Sequence, residues 1–271
     1  MTINLNKQEA RTRLDHEMAT HAPSLINLSK TADKVLEKRQ LNQHDARVAL
    51  VLDISASMHA LYQQGTVQRV TEKALALASR FDNDGHMDVF LFGKAVHACG
   101  SLGIKNIQQA VNALIRKHPL ESSTRYGLAM HALRQHYFAD IDLPDLSPTP
   151  SFLGRLMGQK AAAFKAPLPP QTPIFVLFIT DGETTDQALA IEELTRLSQV
   201  PIFFKFIGVG SESFQFLQRL DDLKHRAIDN ADFVKFNDLD AVDDEQLYDR
   251  LTQEYDHYLI RARELQLIPA G

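Results

Sequence analysis

Asp53-Ile54-Ser55-Ala56-Ser57 sets a carboxyl and two hydroxyls at alternate positions, directly after the apolar run Val48–Leu52. Alternate residues of an extended segment point to one side, so three oxygen donors converge there. Hard oxygen donors suit a divalent cation such as Mg²⁺, Mn²⁺ or Ca²⁺. A second acid, Asp181, follows another apolar run, Phe175–Ile179, in Thr180-Asp181-Gly182. Between them Ser122-Ser123-Thr124 precedes a helical stretch. Ligands of open parallel sheets bind at the carboxyl ends of strands, at a topological switch point. If the two strands are neighbours, Asp53 and Asp181 share one crevice with the hydroxyls of Ser55, Ser57 and Thr124. The plainer alternative makes Asp53 a turn cap and the serines turn residues. It requires three separate segments to coincide by chance.

The elements around these residues alternate. Val48–Leu52, Met87–Phe92, Ile174–Ile179, Ile202–Val209 and Phe233–Phe236 read as strands, with a short one at Ala95–Cys99. Thr66–Arg80, Asn106–Lys117, Tyr126–Tyr137, Gln187–Ser198, Ser213–Leu220 and Asp244–Arg263 read as helices. Such alternation predicts an α/β fold, a doubly wound and mostly parallel sheet with helices on both faces. Residues 1–46 read as a polar N-terminal helical extension, with Ser24 as an N-cap and Leu25, Leu28, Ala32 and Val35 at helical spacing. Residues 47–265 form the main domain. Its rhythm breaks at 139–173, which holds seven prolines and a possible short helix at Phe152–Phe164.

The composition sets outer limits. The chain has 271 residues, 44% hydrophobic, ample for a core. A net charge of -5 argues against nucleic acid or an anionic membrane as partner. The apolar runs are too short to span a bilayer. The polar start and the single cysteine, Cys99, lead us to expect a cytoplasmic protein. No zinc motif, dinucleotide fingerprint or phosphate loop appears. The acidic stretch Asp221–Asp249 is a candidate second cation site, but it lacks the calcium-loop pattern with its fixed glycine and reads instead as a solvated face with helix caps.

The Asp-x-Ser-x-Ser motif, the later threonine loop and Thr180-Asp181-Gly182 resemble the metal-ion-dependent adhesion site of von Willebrand factor A (VWA) domains. Arg47–Met58, Gly65–Val70 and Phe81–Gly85 are similar, more narrowly, to VWA proteins of bacterial tellurium-resistance (Ter) operons. The resemblance implies Asp53, Ser55 and Ser57 as the first metal loop, Thr124 as the second and Asp181 as the third. Ala56 stands where many such domains have glycine. Ser122-Ser123 replaces a frequent Gly-Gly pair, which makes Ser123 the fallback ligand. It implies a non-enzymatic, metal-dependent protein-interaction module, Mg²⁺ foremost, in tellurite resistance or stress response. The partner would supply an acidic side chain to the ion, and other Ter-operon proteins are candidates. A competing reading is a metal-dependent hydrolase or phosphatase with Asp53 as nucleophile. Against it, aspartate-nucleophile phosphatases carry a second acid two residues on, where this chain has Ser55.

Overall fold

A computed structural model describes residues 2–144, 146 and 164–270. The expected helix at 152–164 lies outside the described residues, apart from its last position. Among the described residues six strands form one sheet: β1 (Arg47–Asp53), β2 (His86–Phe92), β3 (Val96–Gly103), β4 (Ile174–Thr180), β5 (Ile202–Val209) and β6 (Ala231–Phe236). Their order is β3-β2-β1-β4-β5-β6. All neighbours run parallel except β2 and β3. The third strand is eight residues, longer than expected, and turns back as an antiparallel edge.

Period-two alternation builds both layers. Val48, Leu50 and Leu52 of β1 face one core with Phe175, Leu177 and Ile179 of β4. Ala49 and Val51 face the other with Val176 and Phe178. These central strands are apolar on both faces because helices cover both. On the first face lie α1 (Thr2–His21), α2 (Ser24–Lys38), α4 (Thr66–Phe81), α5 (Ala110–Lys117), α9 (Asp244–Thr252) and α10 (Tyr255–Glu264). On the second lie α6 (Tyr126–Phe138), α7 (Gln187–Leu197) and α8 (Gln215–Asp221). A short α3 (His59–Gln63) leads into α4.

Several helix boundaries differ from expectation, and at three of them the backbone shows how. Ser24 is the first residue of α2 rather than its cap; Pro23 precedes it and no side chain caps the end. The helix expected from Asn106 begins only at Ala110, because Gln109 takes a left-handed φ of 56° and cannot continue a helix. The closing helix is broken in two at Glu254, with φ 65°. The break aims Tyr255 into the core against Phe81 and Phe175.

The N-terminal helices are fastened by charge as well as by apolar packing. Arg80 of α4 is 1% exposed and bonds Asp15 of α1 at 2.5 Å and Asp33 of α2 at 3.1 Å. No helix among the described residues is long and apolar enough to cross a membrane.

Candidate metal centre

The chain crosses from one half of the sheet to the other between β1 and β4. That switch point brings the carboxyl ends of these strands, and with them Asp53 and Asp181, side by side. After Asp53 the backbone stays extended through Ser55 (φ -64°, ψ 157°), then tightens into a 3₁₀ turn at Ala56–Met58. Ala56 has no left-handed φ, so alanine serves where relatives of the motif use glycine.

Asp53 is fully buried. Its Oδ1 accepts from the Ser55 backbone N–H at 2.6 Å, and its Oδ2 from the Thr180 hydroxyl at 2.6 Å. Its own carbonyl accepts from the Tyr62 hydroxyl at 2.8 Å, which pins the strand end. The two serine hydroxyls lie 3.0 Å apart, and Ser57 donates to Asp181 at 2.8 Å. Asp53, Ser55, Ser57 and Asp181 are thus joined in one run of oxygen donors. Ser57 is exposed and Asp181 half-buried, so the run opens to solvent at one end.

The electrostatics are unbalanced. Among the described residues no lysine, arginine or histidine bonds Asp53 or Asp181. Burial pushes the Asp53 carboxyl up to about 6, against the opposing pull of its bonds from Thr180 and Ser55. Asp181 is also raised, first by burial, and the charge of Glu212 adds to it.

Thr124 is placed differently. It is 9% exposed, and no bond joins it to Asp53, Ser55, Ser57 or Asp181. Its carbonyl accepts from the Thr185 N–H at 3.0 Å and from the hydroxyls of Thr184 and Thr185. The second loop is therefore tied to the segment that follows Asp181. Ser123, the fallback, lies 3.4 Å from the Thr185 hydroxyl. The α6 helix that follows is capped from outside. Asp186 accepts from the N–H groups of Gly127 and Leu128, and Thr184 from that of Tyr126. A Cβ at Gly127 would lie 2.6 Å from the backbone nitrogen of Ala190, so only glycine lets α6 approach α7 this closely.

A crevice of about 480 Å³ adjoins the site, lined by Ser57, Asp181, Gly210, Glu212, Asp238 and Asp240. A larger one, about 670 Å³, lies near Lys38, His44 and Arg263 and holds none of the expected ligands.

Sequence reasoning set aside a second cation site at Asp221–Asp249 and missed the part of Lys205 and Glu254 in a cluster there. Lys205, 1% exposed in β5, bonds Asp232 of β6. Carboxylate oxygens of Asp221, Asp232 and Glu254 come within 4.8 Å of one another, an acidic group able to coordinate a cation. The signal was a lysine inside the apolar run Ile202–Val209, since a buried charge needs a partner. The solvated face expected at Asp221–Asp249 thus includes one acid, Asp232, that is 5% exposed.

Comparison with known proteins agrees with this architecture. An uncharacterized protein of Bacillus subtilis strain 168, YcbR, is 33% identical over 244 residues, 90% of each chain. The proximal thread matrix protein 1 of the mussel byssus has a similar fold, with a TM-score of 0.50 at 16% identity. The match covers 77% of this chain and 47% of that one, so this chain spans about half the mussel protein's length. The cytoplasmic location expected above is corrected here. The byssus is an extracellular thread, so the scaffold is found outside cells, and a lone unpaired thiol assigns no compartment. Residues 45–146 and 156–268 match the vWA domain found at the TerF C terminus, and the chain belongs to this vWA-TerF-like family.

Proposed function

We propose that this chain is a divalent-cation-dependent protein-interaction module, with the ion held by Asp53, Ser55, Ser57, Thr124 and Asp181. Residues 47–265 carry the module and residues 1–46 extend it. The observation that carries this reading is a fully buried Asp53 that no cationic side chain bonds among the described residues, in line with Ser55, Ser57 and Asp181. A buried carboxylate is costly unless paired. Near neutral pH a group with a pKa of about 6 is mostly ionised, so the charge stays uncompensated. A divalent ion removes the deficit. The donor chemistry fits Mg²⁺, which accepts one or two carboxylates and keeps several waters. Mn²⁺ and Ca²⁺ take the same oxygen donors.

Two carboxylates and neutral hydroxyls leave such an ion with open positions. A partner's carboxylate fills one of them, and the buried contact concentrates binding energy on a small interface. The crevice beside Ser57 and Asp181 offers room for the flanking residues of that partner. Hydrolysis is the weaker reading, since no histidine or lysine bonds Asp53 among the described residues to serve as its acid–base partner. Family membership favours a role beside other Ter-operon proteins, in tellurite resistance or stress response.

The test is calorimetric titration of metal-stripped protein with Mg²⁺, Mn²⁺ and Ca²⁺, with Asp53→Ala alongside. We expect saturable binding in the wild type and none in the variant. Equal cation affinity in both would sink the site. Robust, Asp53-dependent turnover of a phosphate ester would replace it with the hydrolase.

A further inference from the structure

Glu121 lies three residues before Thr124 and connects three segments around the site. Its backbone N–H donates to the Ile54 carbonyl at 2.7 Å, and Ser55 and Glu121 form a parallel bridge. Ile54 is held on its other side by the Phe92 carbonyl, at 2.8 Å. Glu121 therefore extends the sheet by one residue pair beside the first loop.

The side chain runs the other way, over the turn between β2 and β3. Its Oε2 accepts from the Ala95 N–H at 2.8 Å, and its Oε1 lies 2.8 Å from His97 Nε2. The His97 ring packs on His118, with centroids 4.3 Å apart. Space for this is made at Gly93, where a Cβ would lie 2.8 Å from both Cβ and Oε2 of Glu121. Both carboxylate oxygens are engaged by the turn, so Glu121 does not offer them to a cation. At the far end of the same short segment the Thr124 carbonyl is tied to Thr184 and Thr185. Residues 121–124 are thus clamped to the first loop at one end and to the third at the other.

We propose that Glu121 is a positioning residue for the cation site, fixing the second loop against Asp53–Ser57 through its grip on the β2–β3 turn. The inference rests on the cation-binding reading above. Groups behind metal ligands commonly change affinity by about 10–100-fold when removed.

The experiment titrates Mn²⁺ and Mg²⁺ into the metal-stripped full chain of wild type, E121A, E121Q, H97A and the H97A/E121A double variant. Unfolding midpoints of the metal-free proteins are measured beside it. We expect E121A to weaken binding by about 10-fold or more. E121Q should recover most of the loss, because an amide can accept from Ala95 and donate to His97. H97A should cost less than E121A and add nothing to it in the double variant, since both remove one linkage. A merely structural role would shift the midpoints without rescue by glutamine and without this non-additivity. Wild-type affinity in E121A, or additive losses, overturns the inference and leaves the cation reading standing. A wild type that binds no cation overturns both. Should E121A not fold, H97A decides, because it releases one anchor without touching the loop, and unchanged affinity there is a refutation.

Discussion

The two ends of the sheet each bury an aspartate, and they handle its charge in opposite ways. At the amino end of β6, Asp232 meets Lys205 inside the protein. At the carboxyl end of β1, the Asp53 carboxylate meets a backbone N–H and a hydroxyl, and no cationic side chain among the described residues. The first acid is completed by the chain itself. The second is oriented but not neutralised. Excess acid at the first end is handled by protons: Asp221 is pushed up to about 7, by burial first and by the Asp232 charge second. A cluster of carboxylates therefore does not by itself mark a cation site. The Lys205 ammonium already stands among Asp221, Asp232 and Glu254, whereas among the described residues no cationic side chain bonds Asp53.

Lys205→Met should break the first end most severely. It leaves Asp232 buried and unpaired, a loss of about 3–5 kcal/mol, read from urea unfolding. Adding Asp232→Leu should recover most of that loss, because an apolar pair of similar volume needs no charge. A single variant as stable as wild type would erase the contrast between the ends.

Asp53→Asn should have the opposite sign on the metal-free protein. The folded pKa of Asp53 is raised from 3.8 to about 6, so the folded state binds more protons than the unfolded one between those values. Its contribution to stability is therefore greatest below pH 4, falls as pH rises to 6 and is absent above. The span is about 2–3 kcal/mol. The metal-free wild type should gain from acidification between pH 7 and 5, and the asparagine variant should lack that component. Cation affinity in the wild type should fall over the same interval, with proton release on binding. A pH-independent affinity would show that Asp53 is not the group being displaced.

Gly127→Ala should have the smallest effect, about 1–3 kcal/mol from crowding the Ala190 backbone. It sharpens the comparison because α6 follows the second loop and packs in the core of the second face. Thermal melts should show the loss, while the Lys205–Asp232 end keeps its hydrogen-exchange protection.

The layered sheet was legible because its strands are apolar on both faces and its helices alternate with them. Strand-end logic set Asp53 and Asp181 together on the condition that their strands are neighbours, and β1 and β4 are neighbours. Other features were hidden for physical reasons. The run of Ser57 onto Asp181 spans 124 residues of sequence, so no local pattern announces it. Thr124 is aligned by its carbonyl, which every residue carries, so its type says nothing about that bond. Glu121 and Gly93 work as a pair whose fit depends on a missing side chain. The breaks at Gln109 and Glu254 fall on residues that usually continue helices.

The N-terminal hairpin of α1 and α2 also has a consequence for synthesis. Leu25, Ala32, Val35 and Leu36 bury themselves in the same core as α9 and α10, and Arg39 reaches Asp249 across 210 residues. These two helices are made well before α9 and α10, with which they share that core. Until residue 249 is made, that pair and the α9 packing are unmet, and the hairpin's apolar face is only partly covered by α4. The packing of this hairpin is thus completed only after a long stretch of chain has followed it.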